Sequence, residues 1–215
     1  MSGKFEFNFD YISPFSYVAN AAVQQISERS GAEAELRPIF LGAIMQATGN
    51  RPPGMVPAKA AYMMTDLQRC TSRYGLGFRM NPHFPMVSTR KLLRATCGLQ
   101  DTPSEQRRFI DACFHHMWAA PTPLKPDDED SIRAMCTAEG FDFSRIQELA
   151  EDSDNKATLQ ANTESAIARG AFGAPTFFVG EDMYFGHDRL DYVEEALKAH
   201  PPKKASGLIS PKWRE

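Results

Sequence analysis

Residues 5–9 read Phe-Glu-Phe-Asn-Phe, a strict alternation that predicts a strand with Phe5, Phe7 and Phe9 on one face. Ser13-Pro14 follows closely. Pro is favoured at the first helical position and Ser at the cap before it, and a residue preceding Pro is pushed out of helical geometry. The pair predicts a helix from Pro14 to about Arg29, closed at Gly31, whose apolar stripe carries Phe15, Val18, Ala22 and Ile26. Residues 34–37 alternate again and stop at Pro38. Strand, helix, strand is a βαβ unit, which calls for parallel strands.

The middle of the chain reads as helical. Helices are expected over Pro57–Tyr74 (ending at Gly75), Ser88–Leu99, Asp130–Glu139 and Asn155–Arg169, with Gly140 and Gly170 as stop signals. Thr102-Pro103-Ser104-Glu105 reads as a capping box opening a helix that carries Phe109, Cys113 and Met117. The last third changes character. Thr176–Val179 and Met183–Phe185 flank a Gly180-Glu181-Asp182 turn, a hairpin signature. Asp188 is placed to cap a final helix from Arg189 to about Ala199, with Leu190, Val193 and Leu197 at helical spacing. The fold class is therefore α/β: βαβ, an all-helical stretch, then helix, hairpin and helix.

A chain of 215 residues buries enough surface to fold without a disulfide or a metal. Its 24 Lys+Arg against 27 Asp+Glu give a net charge of −3, so electrostatics supplies no reason to expect nucleic acid or an acidic membrane as a partner. No apolar run is long enough to span a bilayer, and the amino terminus lacks the apolar stretch of a secretory signal. A cytoplasmic protein is expected. The four cysteines, Cys70, Cys97, Cys113 and Cys136, form no Cys-x-x-Cys pair and have no His at zinc-finger spacing. His115 and His116 are adjacent on a helix and point in different directions. No metal site is expected, and the cysteines read as small core residues.

Four motifs, in order, carry a resemblance. Asp10-Tyr11-Ile12-Ser13-Pro14-Phe15-Ser16-Tyr17 resembles the active-site segment of 2-hydroxychromene-2-carboxylate isomerases and kappa-class glutathione transferases. Gly49-Asn50-Arg51-Pro52-Pro53-Gly54 resembles their glutathione-binding loop. Gly170-Ala171-Phe172-Gly173-Ala174-Pro175 resembles the segment with their cis-proline, and Phe185-Gly186-His187-Asp188-Arg189-Leu190 the start of their last helix. The resemblance implies a thioredoxin-like fold with a large all-helical insertion: residues 1–41 and 155–200 as the core, 42–154 as the insertion and 201–215 as an irregular tail. It also implies glutathione as cofactor, a homodimer and a place in aromatic catabolism. Ser13 would hold the glutathione sulfur beside Phe15, Asn50 would contact the tripeptide, and the Ala174 backbone, next to cis-Pro175, would pair with its cysteinyl unit. His187 and Asp188 would hold the γ-glutamyl end, with Asp188 the stronger assignment.

The residues themselves limit the chemistry. Ser13-Pro14-Phe15-Ser16 sets two hydroxyls where a dithiol motif has two thiols, so disulfide exchange there is excluded. What remains is a helix amino terminus that favours anions. Lowering a thiol from ~8.5 to about 6.5 takes roughly 2.7 kcal/mol. The helix end supplies ~0.3–1 kcal/mol, up to ~2 when partly buried. A charge-assisted hydrogen bond from the Ser13 hydroxyl adds roughly 1.5–3 kcal/mol. Ser13 is thus a donor rather than a nucleophile, although a plain helix cap satisfies the same local sequence. Tyr11 and Tyr17 either reach the pocket or pack. Pro175 is equally a turn proline on local grounds.

The expected activity is glutathione-dependent cis-trans isomerisation of an aromatic carboxylate by reversible thiolate addition, with Arg69, Arg79 and Arg90 as candidate carboxylate partners. A kappa-like transferase that conjugates small electrophiles is the alternative. A non-catalytic peptide-binding module is the alternative of another class, and a disulfide oxidoreductase using Cys70 or Cys97 is a third.

Overall fold

The computed structural model describes residues 3–199. The expected irregular tail, 201–215, with its Lys203-Lys204 pair, lies outside the described residues. Strands β1 (Lys4–Phe9), β2 (Glu33–Pro38), β3 (Thr176–Val179) and β4 (Asp182–Phe185) form one sheet in the order β2-β1-β3-β4. β1 runs parallel to β2, pairing Lys4 with Glu33 through Phe9 with Pro38. β3 runs antiparallel to both β1 and β4. This is the thioredoxin-like arrangement, one parallel half and one antiparallel half.

The alternation in β1 produces the packing. Phe5, Phe7 and Phe9 are all buried, and Phe7 stacks on Phe9 at 5.0 Å and on Phe177 of β3 at 5.2 Å. Helix α1 (Pro14–Ser30) and the final helix α9 (Leu190–Ala199) contribute Val23, Ile26, Val193 and Leu197 to the same cluster. The opposite face of the sheet is covered by α2 (Leu41–Thr48) and α8 (Ser153–Ala168), through Ile39, Ile44, Ala166 and Phe178. Between them run α3 (Pro57–Arg73), α4 (Arg90–Gly98), α5 (Pro103–Trp118), α6 (Glu129–Glu139) and α7 (Phe143–Glu151). Phe114 of α5 lies 5.6 Å from Phe9 and 5.0 Å from Tyr11, so one apolar cluster continues from the sheet into the helices. Among the described residues, no helix is long and apolar enough to cross a membrane.

Most helices begin and end where local chemistry directs. Ser13 caps α1 by accepting from the Ser16 N–H, and Gly31 closes it in the left-handed region at φ 68°. Two expectations about caps need correction. Thr102 does not form a capping box: its hydroxyl donates back to the Leu99 carbonyl, and Glu105 instead pairs with Arg145 at 2.6 Å. Asp188 does not cap α9, because it sits inside a 3₁₀ turn (His187–Arg189) that precedes the helix. Helices α2 and α7 are additions to the sequence reading.

Candidate functional site

The end of β1 delivers Ser13 to the mouth of α1. Ser13 is 5% exposed with extended backbone (φ −92°, ψ 111°), and its N–H donates to the Asp10 carbonyl at 3.0 Å. Its hydroxyl accepts from the Ser16 N–H at 3.1 Å and donates to the Ala174 carbonyl at 3.0 Å. Ser13 is therefore a helix cap and a bridge to the segment leading into β3 at once. Pro14 has no N–H and Ser16 is capped, so Phe15 N–H is the remaining first-turn donor at the helix mouth.

The other candidates gather around this point. β3 lies beside β1, with Asn8 opposite Thr176, which brings Ala174 and Pro175 against Ser13. The Ala174–Pro175 bond is cis. Asn50 follows the end of α2 and donates to the Phe172 carbonyl at 2.7 Å. His187 stacks on Phe15, with centroids 5.0 Å apart and planes inclined by 11°. Asp188 pairs with Arg189 at 2.9 Å and is largely exposed. Ser13, Phe15, Asn50, Ala174, Pro175, His187 and Asp188 all line one cleft of about 860 Å³, a size suited to a small-molecule ligand. Its walls are apolar and rich in methionine: Met45, Met55, Met63 and Met64 line it together with Phe40, Phe84 and Phe185.

Residues the sequence reading passed over also matter. Asp10 is fully buried in the floor of the cleft. Its carboxylate accepts from Thr89 Oγ1 at 2.6 Å, Leu41 N–H at 2.9 Å and Ile12 N–H at 3.1 Å. Burial pushes the Asp10 carboxyl up, and these three hydrogen bonds pull it part of the way back. An open recess of about 370 Å³ adjoins the cleft, shares Phe15, Pro53, Met63 and Asp66 with it, and adds Lys59 and Tyr62. Cys70 Sγ lies 3.0 Å from His187 Nε2.

Other candidates stand apart. Tyr11 and Tyr17 pack: the Tyr11 hydroxyl bonds Thr96 at 2.6 Å, and the Tyr17 hydroxyl donates to the Gly77 carbonyl at 2.7 Å. Arg69, Arg79 and Arg90 do not line the cleft, and among the described residues its lining contains no Lys or Arg. Arg90 instead stacks on Phe40, a lining residue, with its guanidinium 4.3 Å from the ring centre. Burial pushes Cys97 up to about 12 and raises the Cys70 thiol as well. Thiols held protonated are poor nucleophiles, which counts against disulfide exchange through either.

Comparison with known proteins agrees with this geometry. Residues 5–198 match the DSBA-like thioredoxin domain family. A 2-hydroxychromene-2-carboxylate isomerase of Sphingobium xenophagum is 30% identical over 200 residues, covering 92% of this chain and 99% of the relative. Glutathione S-transferase kappa 1 of Caenorhabditis elegans is 28% identical over 210 residues, covering 93% and 92%. A solved 2-hydroxychromene-2-carboxylate isomerase superposes with a TM-score of 0.79 at 25% identity, covering 91% of this chain and 95% of its own.

Proposed function

This chain belongs to the DSBA-like thioredoxin domain family, alongside enzymes of the hydroxychromene-carboxylate isomerase and kappa transferase kinds, and from that premise we propose that it is a glutathione-dependent isomerase. One observation carries the reading. The Ser13 hydroxyl sits at a helix mouth, 3.0 Å from the Ala174 carbonyl, in the wall of an apolar cleft that also holds Asp188. A dithiol enzyme has a thiol of its own there; this chain has a donor, which suits a thiol brought in by a ligand.

The donor set fits glutathione. Asp188 is a carboxylate for the tripeptide's ammonium group, His187 and Asn50 are neutral polar partners, and the Ala174 backbone is a partner for its cysteinyl unit. Lys59 in the adjoining recess is a cation for the glycyl carboxylate, an assignment the sequence reading did not make. Bound glutathione supplies a thiolate able to add reversibly to an electron-poor conjugated carbon. Ser13 would donate its hydroxyl proton to that sulfur in place of the Ala174 carbonyl, Phe15 N–H would support the same charge, and the methionine and phenylalanine walls would give the substrate apolar surroundings. The proposal extends to a cytoplasmic setting, where reduced glutathione is available, to a small aromatic substrate and, by family resemblance, to a homodimer.

The second reading is a transferase that conjugates uncharged electrophiles. It draws on the cleft lining, which among the described residues offers no cation to a substrate carboxylate. The test is to incubate the protein with glutathione and, separately, a cis-configured aromatic ene-carboxylate and an electrophilic arene. Isomerisation with glutathione recovered is the expected outcome. Stoichiometric loss of glutathione with the arene, and no isomerisation, selects the transferase. No turnover of either removes the proposal.

A further inference from the structure

Cys70 and His187 stand 117 positions apart in the chain, yet Sγ of one lies 3.0 Å from Nε2 of the other. Neither local pattern nor the family motifs join them. The imidazole is held from two sides. Phe15 stacks against its flat face, and Cys70 meets its edge. The ring forms part of the cleft wall, so its orientation decides what polar atom the cleft offers there.

Protonation follows from the surroundings. Burial lowers the proton affinity of His187, opposed by Asp188 and Asp66. Burial also raises the Cys70 thiol, reinforced by Asp66 and Asp188 and opposed by Arg73 and Arg69. Near neutral pH the contact therefore joins a neutral thiol to a neutral imidazole. A thiol sulfur is a weak acceptor, whereas a bare imidazole nitrogen is a good one. The favourable arrangement is S–H donating to Nε2. A neutral imidazole carries one proton, and the nitrogen that accepts cannot hold it, so the proton lies on Nδ1.

We propose that Cys70 is a positioning residue that locks His187 in its Nδ1–H form, so that the cleft wall presents an N–H donor to the γ-glutamyl carboxylate of glutathione. Asp188 then takes the ammonium of the same group, and the two neighbours divide its opposite charges between them. The role assigned to the donor rests on the glutathione reading; the tautomer does not.

The experiment measures both. Nitrogen-15 spectra of histidine-labelled protein, with the His187 signals assigned through His187→Gln, report which ring nitrogen carries the proton at mildly alkaline pH. Calorimetry reports glutathione affinity for the wild type, Cys70→Ala and Cys70→Ser. Wild type is expected to show Nδ1–H. Cys70→Ala is expected to lose that preference and bind glutathione roughly three- to tenfold more weakly, and Cys70→Ser, whose hydroxyl accepts as readily as it donates, to restore both only in part. A wild-type Nε2–H form, or a Cys70→Ala variant with unchanged tautomer and affinity, overturns the lock. An Nδ1–H wild type that binds no glutathione overturns the ligand assignment and leaves the lock standing.

Discussion

At Ser13 a single hydroxyl has two employments before any ligand arrives: it accepts from Ser16 N–H and donates to the Ala174 carbonyl. Its value to a thiolate is therefore a difference. A hydrogen bond to a charged group contributes roughly 1.5–3 kcal/mol, and the neutral one it replaces about 0.5–1.5, leaving roughly 1–2 kcal/mol. The helix mouth adds up to ~2 kcal/mol when partly buried. The two effects are thus comparable, where the sequence alone made the hydroxyl dominant, and together they reach the roughly 2.7 kcal/mol needed. Ser13→Ala is accordingly expected to lower kcat/KM for glutathione roughly 5- to 30-fold rather than abolish it, in initial rates at neutral pH. Ser13→Thr keeps the donor and is expected to retain more of that rate than Ser13→Ala.

Among the elements, α2 shows how tertiary contacts replace local signals. Its sequence, Leu-Gly-Ala-Ile-Met-Gln-Ala-Thr, has no side-chain cap of its own. Its first amides are held from elsewhere: Leu41 N–H by Asp10, 31 residues earlier, and Phe40 N–H by Thr163, 123 residues later. Asp10 thereby fixes α2, the Thr89 start of α4 and the loop into α1 with one carboxylate. Asp10→Ala is expected to destabilise the fold by roughly 2–5 kcal/mol in denaturant titrations, because it strands two buried donors, Leu41 N–H and the Thr89 hydroxyl, and the half-buried Ile12 N–H. The folded-state pKa of Asp10 is raised by burial, so the native state holds that proton more tightly than the unfolded chain. The associated stabilisation is full below the ordinary carboxylate range and is lost as pH rises through the raised value. The stability gap between wild type and Asp10→Ala is therefore expected to be wider in acid than at neutral pH. Gly98 is the second case. Gly98 is the last residue of α4, where glycine costs at most the roughly 1 kcal/mol relative to Ala that it costs in a helix interior. Here a Cβ would fall 2.5 Å from Asn155 Nδ2 and 2.7 Å from Leu149 Cδ2, and Asn155 is held by its bond to the Leu149 carbonyl at 2.9 Å. Overpacking, at roughly 1–3 kcal/mol, outweighs the propensity gain. Gly98→Ala is expected to lower Tm by about 2–6 °C in thermal scans.

For the whole molecule, what was legible in the sequence was what local physics writes there. Alternating phenylalanines, Ser-Pro at the helix start and the Gly-Glu-Asp turn specify the parallel unit and the hairpin without help from distant residues. Their pairing into one sheet brings Ser13 to Ala174 across 161 positions. The motifs named the cleft residues, and all seven line one cleft. Illegible were the features made by juxtaposition alone: the buried partners of Asp10, the Lys59 recess beside Phe15, and the Cys70–His187 contact. Apart from the Ile12 N–H bond to Asp10, two residues away, none leaves a periodicity or a spacing, because the partners are far apart in the chain. The candidate arginines failed for the same reason, since sequence counts cations but does not say which wall they face. The central claim is electrostatic, that the mouth of α1 and the Ser13 hydroxyl keep a borrowed sulfur ionised near neutral pH. Ultraviolet titration of the protein–glutathione complex, following thiolate absorbance against pH, tests it directly. Half-ionisation near ~6.5, well below the ~8.5 of a free thiol, with part of the shift lost in Ser13→Ala, is the expected result. A bound thiol that titrates at its free value would contradict the account.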